Sequence, residues 1–162
     1  MRAAGRSDWV GGSVPHVNPS QSIPPAAQAL AQFGWAWVAL AAAIALHVAD
    51  EALTGFLDVY NPAVRAIRAR LPWLPLPTFT FPVWIAGLAA GVALLLALGP
   101  AAHHGARWVV VAALPLSAVM IGNGLGHIGA SAYKRRLMPG VASSPILIAA
   151  SAYALVSALR LL

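Results

Sequence analysis

The chain has 162 residues, of which 60% are hydrophobic and only 9% are charged, and its mean hydropathy is +0.76. A soluble domain of this size carries about 25% charged residues because its surface faces water, so the composition excludes a soluble globular protein. These residues include no cysteine, which excludes disulfides, cysteine–zinc sites and thiol nucleophiles within them. The net charge of +6 fits basic loops and anionic lipid head groups, and we predict no nucleic-acid partner.

The amino-terminal segment is polar and rich in glycine, serine and proline, and no apolar run follows Arg2 and Arg6 directly. This pattern is not that of a secretory signal. We predict that residues 1–25 form a flexible tail and that residues 26–162 form one membrane domain.

Four apolar runs follow, and each can supply the roughly 20 residues that cross about 30 Å of hydrocarbon as a helix. The runs cover residues 26–57, 79–98, 108–133 and 141–159. They are rich in alanine and leucine and lack the alternation typical of a membrane barrel. We therefore predict an all-α fold, a four-helix transmembrane bundle.

The connection between the first two runs predicts a short helix on the membrane surface. Asn61 can cap this helix with Pro62 at its first position, and the basic and apolar residues that follow suit an interfacial location. The proline-rich residues 72–77 should be extended. Residues 99–107 should form a tight turn between the second and third spans.

Basic residues favour one side of the membrane. The loops after the first and third spans carry six of them: Arg65, Arg68, Arg70, Lys134, Arg135 and Arg136. The opposite side carries only Arg107 and Arg160 near the membrane. The positive-inside rule therefore predicts that the first and third loops are cytoplasmic.

Small residues at helical spacing occur in two spans. Gly87 and Gly91 form one such face, and Gly122, Gly126 and Ala130 form another. Small residues let transmembrane helices approach closely, so both faces predict ordinary helix packing.

Ionisable residues lie inside the first span, toward its loop end. His47 shares a helix face with Asp50 and Glu51, three and four residues further on. In the third span, Asn123 and His127 also share a face. Because both spans end on the same side of the membrane, the two patches lie at similar depth and are expected to converge.

This set of side chains suits a metal ion. His47 and Glu51 from one helix and His127 from another make a two-histidine, one-carboxylate set that leaves room for water or substrate. Asp50 would be a second carboxylate ligand, a base, or an outer acceptor that orients an imidazole, with Arg135 or Arg136 as its alternative partner. Asn123 would position a water or a carbonyl. Zinc and iron are both possible ions.

Two other interpretations stay open. Asp50, Glu51 and Asn123 are the candidate catalytic residues of the metal-dependent enzyme; without a metal, the same groups can instead perform acid–base chemistry or form a binding pocket. Alternatively, the cluster only locks two helices together through hydrogen bonds and ion pairs.

The motifs resemble those of the HXXEE-domain family of small bacterial integral membrane proteins. Residues 47–51 read HVADE, residues 123–127 read NGLGH and residues 137–140 read LMPG. They stand where that family has His-x-x-Glu-Glu, Asn-x-x-x-His and Tyr-x-Pro-Gly. Here Asp50 replaces the first glutamate and Leu137 replaces the tyrosine. The resemblance covers roughly residues 33–159 and implies a multi-pass protein of the bacterial inner membrane, without a transferable activity.

The sequence thus leaves two classes of function. The first is a metal-dependent, membrane-embedded hydrolase or oxidoreductase that acts on a lipid or another apolar substrate. An anionic head group would then meet basic residues at the mouth of the site: Arg65, Arg68, Arg135 and Arg136. The second is a non-enzymatic transporter, ligand-binding or accessory protein. Membrane lipid is the expected partner, and a homodimer is a further expectation.

Overall fold

The structure, a computed structural model, describes residues 24–162. Six α-helices account for most of this range: α1 (Pro25–Leu53), α2 (Phe56–Arg70), α3 (Phe81–Ala97), α4 (Gly99–His103), α5 (Arg107–Lys134) and α6 (Ser144–Leu159). The predicted all-α fold is confirmed for this range. The predicted flexible tail lies, except for its last two residues, outside the described residues.

Three of the predicted spans form helices long and apolar enough to cross a membrane. They are α1, the nearly continuous stretch Phe81–His103 made by α3 and α4, and α5. The fourth run gives α6, which has 16 residues and is therefore about 24 Å long. It begins three residues later than predicted because residues 139–143 form a turn.

Helix α1 packs against several other helices and positions the site. It packs against α6 and against α3 and α4, while α5 packs against α6. In the amino-terminal halves of the two helices, Phe33 and Trp37 of α1 share a buried cluster with Val109 and Ala113 of α5. Since His47 and His127 also meet further along, α1 and α5 run parallel. Their carboxyl-terminal halves therefore lie at the same level, as the sequence predicts.

The surface helix differs from its prediction. Helix α2 begins at Phe56, directly after Gly55, whose φ of 76° ends α1 and starts a new helix at once. Asn61 is therefore inside α2 and does not cap it, and Pro62 is also internal. The Asn61 amide instead bonds the backbone of Phe79, donating to its carbonyl (2.9 Å) and accepting from its N–H (3.1 Å). This pair ties α2 to the segment before α3.

The loops on either side of the second span are irregular or tightly turned. Residues 71–80 contain no helix, which confirms the irregular proline-rich segment. The predicted tight turn after the second span contains the one-turn helix α4 and then Gly105, whose φ is 64°.

The glycine faces do not pack as predicted. A Cβ placed on Gly87, Gly91, Gly122 or Gly126 would meet no described atom within 4 Å. The glycine that packs closely is Gly124, where a Cβ would lie 2.7 Å from Ile148 Cγ1 of α6. The face of α5 that approaches α6 is therefore different from the face with regular small-residue spacing. The homodimer stays a prediction.

Candidate metal centre

Two helices bring three ionisable side chains together at one level. Glu51 Oε1 lies 3.0 Å from His127 Nε2 and 3.6 Å from His47 Nε2. The two imidazole rings meet edge to face, with centroids 4.9 Å apart. His47 is 3% exposed and Glu51 is 6% exposed, so the carboxylate is largely shielded from solvent. The predicted convergence of the two patches is confirmed.

The geometry of this triad fits a metal ion. His47, Glu51 and His127 each offer one ligand atom, and these atoms all lie within 4.8 Å of one another. In a tetrahedral site with bonds of about 2.1 Å, ligand atoms lie roughly 3.4 Å apart. The two distances to Glu51 lie on either side of that value, and the widest pair of ligand atoms, up to 4.8 Å apart, has to move closer for all three to reach one ion. The three residues can therefore hold a divalent ion with a coordination position left open.

Ser143 connects the triad to Asp50. Its Oγ lies 2.8 Å from His47 Nδ1 and also 2.8 Å from Asp50 Oδ2. Its backbone N–H donates to the same Asp50 oxygen at 2.9 Å. The hydroxyl is 3.2 Å from the Gly140 carbonyl, a more distant acceptor than the carboxylate. A chain of hydrogen bonds thus runs from His47 through Ser143 to Asp50.

This chain assigns the tautomer of His47. A serine hydroxyl carries one proton, which Ser143 donates to the Asp50 carboxylate. Ser143 Oγ then accepts a hydrogen bond from Nδ1–H of His47, and Nε2 keeps its lone pair. Asn123 agrees with this assignment, because its Nδ2 lies 3.0 Å from His47 Nε2 and donates to it. Nε2 is also the atom that faces Glu51, and a metal bound there would take the lone pair that the Asn123 amide occupies in this structure.

Among the roles that the sequence left open for Asp50, the structure shows the outer acceptor and not the pairing with arginine. Within residues 24–162 Asp50 forms no ion pair with Arg135 or Arg136, and it is not one of the three triad residues. Its side chain takes the outer-acceptor position, through Ser143. The reason is local: the N–H groups at the start of α6 have no partner within their own helix and attract a carboxylate.

Gly140 closes one side of the site. It adopts a φ of 80°, and a Cβ there would lie 2.9 Å from Cε1 of both His47 and His127. The Ser144 hydroxyl donates to the Gly140 carbonyl at 2.7 Å and fixes the turn. The Pro-Gly element noted in the sequence therefore has a physical role, since only glycine fits above the two rings.

Ser143 is a site residue that the sequence motifs do not identify. A signal was present: Ser143 and Ser144 precede Pro145, an arrangement typical of a helix start. That helix start follows the third loop, which the order of spans places on the same side as the two polar patches.

A cavity of about 310 Å³ adjoins the triad. Its lining comes from α2, α5 and the loop after α5: Phe56, Val59, Gly122, Asn123, Gly126, His127, Ala130, Met138 and Pro139. The Phe56 ring lies 5.9 Å from the His127 ring, measured between centroids. Asn123 and His127 therefore face both the triad and the cavity.

The four arginines predicted to hold a head group do not line this cavity. Arg65 and Arg68 are exposed on α2 and border a separate surface depression with Ala69 and Pro72. Arg135 and Arg136 are exposed just after α5. Their role stays a prediction.

Comparison with known proteins agrees with the motifs. A family model described as "Protein of unknown function with HXXEE motif" matches residues 37–154. The chain belongs to the HXXEE family. The matched region includes the triad, Asn123, Gly140 and Ser143. No curated protein and no solved structure matches the chain.

Replacing Ser143 by alanine should weaken zinc binding about 10- to 100-fold, the usual effect of losing an outer hydrogen bond to a histidine ligand. The alanine removes the group that holds His47 in its metal-binding tautomer. The measurement is a zinc titration against a competing chelator dye. Ser157→Ala is the matched control, because the buried Ser157 hydroxyl of α6 has no hydrogen-bond partner among the described residues. Equal affinities in both variants would contradict the role of Ser143.

Proposed function

We propose that this HXXEE protein is a metal-dependent, membrane-embedded hydrolase that acts on a lipid or another apolar substrate. The observation that carries the proposal is the triad of buried His47, buried Glu51 and half-buried His127, whose ligand atoms lie within 4.8 Å of one another. Two histidines and one carboxylate are the ligand set of several zinc hydrolases, in which the open position takes water or substrate.

The network around the triad supports a site built for a cation. A carboxylate shielded from water is costly unless a partner compensates its charge. Glu51 faces two imidazoles, and the tautomer set by Ser143 turns a lone pair of His47 toward it. A purely structural cluster would need neither the Ser143–Asp50 connection nor an adjacent cavity.

The chain's residues divide the chemistry as follows. A divalent ion in this set supplies Lewis acidity, which polarises a carbonyl and activates water. Asn123, which faces both the triad and the cavity, orients the carbonyl of the substrate. Asp50 keeps His47 aligned through Ser143 and offers a proton acceptor at the end of the hydrogen-bond chain. Burial of the triad keeps bulk water away from the reacting group.

The proposal includes four membrane spans. Helix α6 is short, but it packs against both α1 and α5, which are long enough to cross the membrane. A helix in contact with both shares their depth. The basic loops after α1 and α5 then lie on one side, which we propose is the cytoplasmic side of a bacterial inner membrane, with Arg65, Arg68, Arg135 and Arg136 near the head groups.

An oxidoreductase is the second candidate function. The same donor set, two histidines and one carboxylate with open positions, is that of non-haem iron oxygenases. Because the candidate ligands include no sulfur, the donor set alone does not separate zinc from iron. The source of the oxygen atom in the product separates the two reactions.

The test is a product search with isotopic oxygen. The protein, loaded with zinc or with iron(II) and a reductant, is placed in nanodiscs made from a bacterial lipid extract. New species are identified by mass spectrometry in H₂¹⁸O and under ¹⁸O₂, with Glu51→Gln as the inactive control. Hydrolysis predicts ¹⁸O from water in a product that the control does not form. Incorporation of ¹⁸O from ¹⁸O₂ into the product would contradict the hydrolase and support the oxidoreductase.

If neither metal form changes any lipid, the enzymatic proposal is wrong for this substrate class. Metal bound without turnover would instead favour the non-enzymatic alternative, in which the site binds or transports an ion.

A further inference from the structure

The cavity beside the triad has features of a binding site for a hydrocarbon chain. We propose that it binds one acyl chain of the substrate, with the carbonyl end of that chain directed at His127 and Asn123. This inference rests on the proposed function and specifies its substrate class as an acyl compound.

The lining chemistry favours hydrocarbon. Most of the wall is apolar or glycine, with Phe56 and Val59 of α2 facing the cavity from one element and Met138 and Pro139 from the loop. The polar side chains of the wall are Asn123 and His127, and both belong to the metal centre. A ligand that fills this space therefore needs an apolar body and one polar end. An acyl chain with its carbonyl group meets that requirement.

The glycines of α5 give the cavity its width. Gly122 and Gly126 lie one turn apart on the wall, and a Cβ on either would meet no described atom within 4 Å. Their small size therefore serves no close helix contact in this structure. It leaves open the space that a larger side chain would occupy.

The position of the cavity along a membrane-length helix gives it access to lipid acyl chains. The cavity lies along α5, a helix long and apolar enough to cross a membrane, and on the half of that helix that carries the triad. Acyl chains of the surrounding bilayer are at the same depth. The cavity volume of about 310 Å³ lies at the low end of the roughly 300–1,000 Å³ typical of small-molecule sites. It therefore suits one chain and not a whole two-chain lipid.

The experiment uses the full chain in phosphatidylcholine nanodiscs and a palmitic acid analogue with a diazirine in mid-chain. After illumination, labelled peptides are identified by mass spectrometry, and zinc per chain is measured in the same samples. We expect label in residues 56–59 and 122–130, displaced by excess unlabelled palmitate. Gly126→Leu should reduce this label at least about fivefold, because a close-packed leucine leaves no room for the chain.

Gly129→Leu is the matched control. Gly129 lies on the same helix, its added Cβ would also meet no described atom within 4 Å, and it is not part of the cavity wall. Its label should equal that of the unchanged protein. If Gly126→Leu does not fold, Ala130→Leu replaces it. Competition by palmitate in the unchanged protein still shows whether the cavity binds an acyl chain.

The outcomes separate this inference from the proposed function. Label that palmitate does not displace, or that Gly126→Leu leaves unchanged while zinc is bound, overturns the acyl-chain site but not the metal centre. Displaceable label in a protein that binds no zinc overturns the zinc-dependent hydrolase, and with it the assignment of the chain as the substrate of that hydrolase. Displaceable label together with bound zinc supports both.

Discussion

Replacing Glu51 by alanine should abolish metal binding, with an affinity loss greater than about 100-fold, the upper end for loss of an outer-shell partner alone. Glu51 is the only carboxylate in the triad, and its Oε1 lies within 3.6 Å of Nε2 of both histidines. Without it, two neutral imidazoles remain and no negative charge compensates the ion. His47→Ala should have an effect of similar size, because it removes a ligand from the same helix turn.

Two controls accompany this prediction. Glu51→Gln keeps the size of the side chain and removes its charge, so it should lose metal nearly as completely as the alanine. Gly87→Ala should bind metal normally, because an added Cβ on that exposed glycine of α3 meets no described atom within 4 Å. Metal per chain is measured after dialysis against buffered zinc. The same stoichiometry in all four variants would refute the metal centre.

The same variants test the purely structural interpretation. If the cluster only joins α1 to α5, Glu51→Ala lowers the unfolding temperature by the same amount with and without zinc. If the cluster holds an ion, zinc raises the unfolding temperature of the unchanged protein and has no such effect on Glu51→Ala, because a ligand stabilises only the state that binds it.

Gly140→Ala should cost both stability and metal affinity. Overpacking of this kind costs about 1–3 kcal/mol, since the new Cβ would lie 2.9 Å from Cε1 of both histidine rings. The left-handed backbone, with φ at 80°, adds roughly 1 kcal/mol for a residue with a side chain. Relief of the clash requires the rings to move apart, which widens the triad.

Gly55→Ala separates strain from the clash. Gly55 has a φ of 76°, similar to that of Gly140, but a Cβ there would approach only the Asp58 carboxylate, a flexible exposed side chain. Thermal unfolding and zinc titration are measured for both variants. Gly55→Ala should lose stability only, whereas Gly140→Ala should also lose zinc affinity. Equal affinities would show that Gly140 does not position the rings.

The convergence of the triad residues could be predicted because it depends on regular helix geometry. The i, i+4 spacing of His47 and Glu51 fixes their common face, and the order of spans sends α1 and α5 in the same direction. Both rules act through the backbone and are visible in a sequence. The level of His127 followed from counting residues along its span.

The partner of Asp50 could not be predicted in the same way. Ser143 reaches Asp50 because the turn at residues 139–143 returns the chain to α1 and begins α6 beside it. That turn depends on Gly140 fitting against two rings from two other helices, a tertiary contact with no local signal. Charge complementarity alone suggested Arg135 and Arg136, which are exposed.

The glycines of α5 show a related difficulty. Spacing alone shows that Gly122 and Gly126 lie on one helix face without side chains. It does not show whether that face packs against a helix or borders a cavity. Helix α6 instead approaches Gly124, where Ile148 and the Ser144 carbonyl lie close. The cavity depends on where α2 lies, and its start at Phe56 was set by Gly55 and not by the Asn61-Pro62 pair.

X-ray absorption of the zinc-loaded protein is the most direct test of the metal centre. The account predicts two imidazole ligands, visible from their outer-ring scattering, and one carboxylate oxygen, all at about 2.0–2.2 Å from the ion. His127→Ala should bind zinc far more weakly, and at zinc concentrations high enough to load it the imidazole count should fall to one. A spectrum with oxygen ligands only, or one that is unchanged in His127→Ala, would contradict the assignment of His47, Glu51 and His127 as the metal ligands.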